Sequence, residues 1–194
     1  VLGFVLWSVQ RHRDPHIRVD CEPGIDSLVG SLAGLSLGSV ADGNPVEILK
    51  NGEFFDVVMD AIAKAKRSVH FESFLWKQGK LGEKLVEALC ERARAGVTVG
   101  VLVDAKGCNS MGDNACRKLV GAGVRFARFH PLKLRFIGVF NQRDHRKILL
   151  IDGKTAFVGG HCIVDEWMGD GDDKCHFRDL SVRLEGPAVH QVQS

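Results

Sequence analysis

Residues 143–160, RDHRKILLIDGKTAFVGG, set a histidine and a lysine two positions apart before a short apolar run that an aspartate closes. A buried strand excludes ionised groups because they lose hydration there. His145, Lys147 and Asp152 at the two ends of ILLI therefore need a reason. Side chains alternate along extended chain, so His145 and Lys147 share a face while Arg146 points away. An imidazole beside an ammonium suits phosphate chemistry. The lysine holds non-bridging oxygens as a point charge, and the histidine attacks phosphorus or moves a proton. Lys147 also disfavours the imidazolium, which keeps a ring nitrogen free. A solvated strand end produces the same H-x-K pair, so the surroundings must decide.

Charge is the first of those surroundings. Between Arg125 and Lys154 lie eight Lys/Arg and two Asp, a local +6, and the rest of the chain sums to −4 against a total of +2. Such a field suits an anionic ligand such as phosphate, a lipid headgroup or nucleic acid, the plainer reading being a solvated basic face. Six cysteines show no C-x-x-C pair, and Cys175-His176 and His161-Cys162 lack the spacing of a zinc site. No metal site is expected. Cys90 reads as a buried thiol in a helix.

The elements that must position the pair follow from periodicity. VEIL (46–49) is a strand, and Asn51 is placed to cap the helix EFFDVVMDAIAKAKR, whose stripe is Phe55, Val58, Met59 and Ile62. SVHFESFLW (68–76) is a strand, LGEKLVEALCERARAG a helix ended by Gly96, and VTVGVLVD (97–104) an apolar central strand. NACRKLVGAG gives a shorter helix and VRFARF another strand. HRKILLID and TAFVGG flank Asp152-Gly153, a hairpin signal, and FRDLSVRLEG (177–186) supplies a last strand. The alternation predicts an α/β domain with a mixed, largely parallel sheet and helices on both faces. His70 and Glu72 share a strand face, where they either edge the site or, more simply, belong to a strand-end ion pair.

The ends read differently. VLGFVLWSV, at nine residues, is too short to span a bilayer, which takes about 20. It reads as the tail of a transmembrane helix with the basic flank QRHR, in preference to the remnant of a signal segment or a hydrophobic strand, and residues 10–45, with GSLAGLSLGSVADGNP, as a connector. The expected division is 1–41, a truncated hydrophobic segment and connector, and 42–194, one domain truncated within its last helix.

His145-x-Lys147-x4-Asp152, followed by Gly159-Gly160, resembles the HKD motif of the phospholipase D superfamily. The blocks GNPVEILKNGEFFDVVMDAIAKAKRSVHFESFLW, GVTVGVLVDAKG, RDHRKILLIDGKTAFVGG and FRDLSVRLEGPAV resemble, in order, its bacterial cardiolipin synthase branch. The resemblance implies a phospholipase D-like fold and a phosphatidyltransferase working through a phosphohistidine, without metal or cofactor. By position, His145 is the nucleophile or its acid/base partner, Lys147 the phosphate-binding lysine and Asp152 a mainly structural residue of the turn. Asp179 is the acid that orients the histidine, or else a surface partner of Arg178 or Arg183. Arg143, Lys147, Gly159, Gly160 and Cys162 are the expected substrate contacts.

One position departs from the pattern. The family carries an asparagine one residue after the glycine pair, and here Cys162 stands in its place. A thiol is a weak donor, so a phosphate contact is lost unless a neighbour such as His161 substitutes. The family's site also uses two motifs, and only one is present, so the resemblance implies half an enzyme. A second half in the parent chain or a second copy supplies the other. The implied partners are an anionic phospholipid resembling phosphatidylglycerol and a membrane, the bacterial inner membrane. The stretch PLKLRFIGVF (131–140) mixes cations with apolar residues as a lipid interface does. Alternatives are a superfamily nuclease, for which Lys133, Arg135 and Arg143 offer cations but little aromatic interleaving, and a non-catalytic module binding anionic membranes.

Overall fold

The computed structural model describes residues 25–131 and 142–193. The hydrophobic start of the chain and most of the apolar-basic stretch, including Lys133 and Arg135, lie outside the described residues. The chain divides between Ala41 and Asp42 into two units. In the first, helix α1 spans Ile25–Ser36, where the glycine and serine content predicts only a connector. Its Leu32 and Leu35 are exposed.

The second unit is built on a seven-stranded sheet. The strands are β1 (Val46–Lys50), β2 (Ser68–Ser73), β3 (Thr98–Asp104), β4 (Arg125–Phe129), β5 (Ile148–Ile151), β6 (Thr155–Gly159) and β7 (Leu180–Glu185). Their order is β1-β7-β6-β5-β2-β3-β4. The α/β class holds, but the sheet is not largely parallel. Only β2–β3 and β3–β4 are parallel, while β1–β7, β2–β5, β5–β6 and β6–β7 are antiparallel. The expectation fails because the strand–helix–strand alternation ends at β4. After it, a tight hairpin and a returning strand build the other half of the sheet, and such connections make antiparallel neighbours.

Helices α2 (Glu53–Lys64), α3 (Lys80–Arg94) and α4 (Asp113–Gly121) pack on one face. Phe54, Phe55, Val58 and Ile62 of α2 and Leu81, Leu85 and Leu89 of α3 meet Val69, Val99, Val101, Val103, Leu149 and Phe157 of the sheet. The strands' period of two turns these residues to one side. On the other face Leu150 and Ala156 meet Val189 of the short helix α5 (Val189–Gln193). Among the described residues no helix is long and apolar enough to cross a membrane.

Two turns fix the frame. At the β5–β6 hairpin Asp152 and Gly153 both have positive φ, 56° and 67°, and Lys154 N–H closes on Ile151 C=O at 2.9 Å. This is the backbone that Asp-Gly favours. Asn51 does not cap α2 with its side chain. It takes positive φ in the turn, and its amide instead donates to Asp170 C=O and accepts from Asp179 N–H. Glu53 serves the helix start by accepting from Lys50 N–H at 2.8 Å.

Candidate active site

The register brings several strand ends to one row. Glu72 pairs with Ile148, Ile148 with Val158, and Val158 with Val182. The next row therefore holds Ser73, Lys147, Gly159 and Ser181, at the carboxyl ends of β2 and β6 and the amino ends of β5 and β7. His145 and Lys147 lie in the extended segment leading into β5, whose ladder starts at Ile148. Their side chains meet as alternation predicts: Lys147 Nζ is 3.0 Å from His145 Nδ1 and donates to its C=O at 2.7 Å. Arg146 turns the other way.

Phe74 supports the pair. Its ring lies 4.3 Å from the imidazole of His145, and Lys147 Nζ sits 5.1 Å from its centroid. Phe74 itself is held by the loop after β3. Gly107 packs so closely on its carbonyl that a Cβ would collide, and Cys108 Sγ reaches the same oxygen at 3.3 Å.

The segment carrying His145 is pinned from below by Asp104, a fully buried carboxylate. Asp104 accepts from Lys106 and Gly107 N–H at 2.9 Å and from Asp144 N–H at 3.1 Å. Arg143, expected to contact substrate, instead turns to Asp104 at 3.5 Å. Glu72 makes its ion pair with Arg146 at 2.9 Å, and Arg146 Nε also donates to Asp144 at 3.1 Å. Asp104 and Asp144 carry no signal in the sequence. One ends an apolar strand and the other flanks a basic residue, and only tertiary pairing joins them.

Asp152 stands at the far end of β5, away from the histidine. Its carboxylate accepts from the backbone N–H groups of Lys66, Arg67 and Ser68, at 2.7 Å for Arg67 and 2.9 Å for Ser68. Burial raises its pKa, but these three donors outweigh that and hold it below the usual carboxylate range. The aspartate of the motif thus ties the hairpin to the start of β2.

The glycine pair allows a close approach. A Cβ on Gly159 would collide with Ser181, and one on Gly160 with the Asp179 carboxylate. That carboxylate does not bond to His145 as predicted. It accepts from Trp167 Nε1 at 2.7 Å and from Leu180 N–H at 2.7 Å. Asn51 fixes the backbone of Asp179 on both sides, so a neighbouring indole captures the acid. Cys162 is a buried free thiol. Burial pushes its pKa up, Lys147 pulls it down and Asp179 raises it, which places the thiol within the fields of both. His161 does not stand in for the missing asparagine. It is buried, stacked 4.4 Å from Phe54, and engages Ser181 Oγ at 2.7 Å and Asn51 C=O at 2.9 Å.

A seven-stranded mixed sheet with a His–Lys pair at its mouth is the arrangement of a phospholipase D-like protein. The fold is similar to that of Nuc, a phospholipase D family member from Salmonella typhimurium, with a TM-score of 0.60 at 15% identity over 78% of this chain and 90% of that one. Residues 58–165 match the family model described as "Cardiolipin synthase, PLD-like domain", and the chain belongs to that family. It is 37% identical over 153 residues to the major cardiolipin synthase ClsA of Bacillus subtilis, covering 78% of this chain and 32% of that protein. A cardiolipin synthase of Clostridium perfringens is 38% identical over 140 residues, covering 72% and 29%. The chain thus spans about a third of the length of these relatives.

Proposed function

We propose that this chain is the first half of a phosphatidyltransferase of the cardiolipin synthase type, working at a bacterial inner membrane. The observation that carries the reading is the contact of Lys147 Nζ with the exposed imidazole of His145 at 3.0 Å, in a chain of this family. A ring nitrogen of His145 attacks the phosphorus of an anionic phospholipid such as phosphatidylglycerol. The bond from phosphorus to the leaving alcohol oxygen breaks as a histidine of a second motif protonates that oxygen. An acceptor hydroxyl then attacks the phosphohistidine, giving up its proton to the second histidine, and His145 is released. Lys147 and the backbone near the glycine pair stabilise the charge on the non-bridging oxygens, with no metal or cofactor required. Cys162 lies beside them. Asp179 supports the site through its place beside Gly160. The second motif comes from the remainder of a longer parent protein, in keeping with the third of its relatives' length that this chain spans.

The test is transfer of labelled phosphatidyl groups to an alcohol by the full-length protein in mixed micelles. His145→Ala is expected to abolish turnover, and Lys147→Ala to lower it by about 10²–10³, as loss of a preorganised oxyanion donor does. EDTA is expected to leave the rate unchanged. Turnover surviving both substitutions contradicts the reading, and DNA cleavage without lipid turnover replaces it with a nuclease.

A further inference from the structure

Beside His145 the fold places two carboxyl groups against one cation. Glu72, from the end of β2, and Asp144, next to His145, both reach the guanidinium of Arg146. Both are largely buried, with side chains 17% and 4% exposed. Two ionised carboxylates are both acceptors and cannot hydrogen-bond to each other, whereas a proton on one of them turns an acceptor into a donor. Arg146 supplies one positive charge to both, through Nη2 to Glu72 at 2.9 Å and Nε to Asp144 at 3.1 Å. Even so, Glu72 Oε1 and Asp144 Oδ2 are buried oxygens with no aligned donor. An acid pair with a single counter-charge holds one proton more readily than two isolated acids do.

We propose that Glu72 and Asp144 share one proton and, with Arg146 across them, form a lock that positions His145, tight while the proton is held and loosened when it is lost to solvent. His145 lies between two members of this lock in the chain, and Asp104 anchors Asp144 from the other side. Burial first, then the hydrogen bond and charge of Asp144, raise Glu72 to about 7, while its bonds to Glu72 and Arg146 hold Asp144 low against its own burial. The remaining charged or titratable groups lining the cavities at Glu72 are His70 of β2, Arg125 of β4, Lys147 and His161. The proton therefore resides on Glu72 below neutrality and leaves as the pH rises through that range. The consequence for turnover rests on the reading of His145 as the nucleophile, whereas the lock itself is independent of any substrate.

Two measurements without lipid test the lock. In the wild-type protein the ¹³C carboxyl resonance of Glu72 is expected to titrate near 7. Hydrogen exchange at residues 144–147, corrected for its intrinsic pH dependence, is expected to lose protection severalfold over the same interval. Glu72→Gln keeps the neutral donor permanently, so protection there is expected to stay flat. In the full-length protein, turnover is expected to fall on the alkaline side with the same midpoint, and Glu72→Gln to remove that limb. A Glu72 titration at the ordinary value of about 4.3, or an equal loss of protection in Glu72→Gln, overturns the lock. A lock that titrates as expected beside an unaltered turnover profile overturns the positioning role. Absence of lipid turnover counts against the proposed function and leaves the exchange and resonance results to judge the lock.

Discussion

Cys162 stands where the resemblance to the motif implies an asparagine. The thiol is buried and lies within the fields of Lys147 and Asp179. An asparagine there adds a donor and an acceptor without adding charge. Cys162→Asn is expected to hold or raise the rate of phosphatidyl transfer in the full-length protein, and a large loss assigns the cysteine a role of its own. Asp179 differs in kind. Its carboxylate is held by Trp167 Nε1, so Trp167→Phe frees one oxygen. If Asp179 orients the nucleophile during reaction, kcat in that variant is expected to change while Asp179→Asn lowers it. Equal rates in all three proteins withdraw that role. The contact of His145 with Lys147 was legible because alternation along an extended segment is local. The indole that captures Asp179 was not, since it comes from a 3-10 turn at Asp165–Trp167 that no periodicity marks.

Most strands and helices of the second unit were legible from apolar spacing, and the antiparallel β5–β6 pair from Asp152-Gly153, but the partners of β1, β2 and β7 were not. VTVGVLVD is a parallel strand as its continuous apolar run implies. β7 then returns antiparallel to β6, a pairing that strand composition does not encode. Asp152 shows how the motif serves the frame. Its carboxylate joins the hairpin to the start of β2 through three backbone N–H groups. Asp152→Ala is expected to cost about 2–3 kcal/mol in urea denaturation, the range for losing charge-assisted hydrogen bonds. An unchanged midpoint contradicts that role. Gly159 serves the frame through its missing side chain: a Cβ there meets the backbone of Ser181. Gly159→Ala is expected to destabilise by about 1–3 kcal/mol, as overpacking does, and a neutral result shows that β7 can yield.

The second unit as a whole carries a pH dependence separate from its chemistry. Burial depresses the pKa of His161, and the charge of Asp179 only partly restores it. The unfolded chain therefore binds the proton more readily, with an ordinary histidine value of about 6.5. The stability that neutral His161 contributes is present above that value and is lost as the pH falls through the depressed one. Calorimetry between pH 8 and 5 is expected to show the His161 contribution as the difference between wild type and His161→Gln, the wild type losing Tm relative to the variant on the acid side, because the raised pKa of Glu72 acts in the opposite sense over the same range in both proteins. A parallel course in both proteins removes the contribution of His161. The covalent step allows the most direct test of the proposed function. The full-length protein is mixed with phosphatidylglycerol labelled in its phosphatidyl phosphate, quenched within the first turnover in alkali that preserves phosphohistidine, and digested for mass spectrometry. The expected result is a phosphate-bearing adduct on His145, absent from His145→Ala. Lipid turnover with label on no histidine, or with His145 unlabelled while another residue carries the adduct, contradicts its role as the nucleophile.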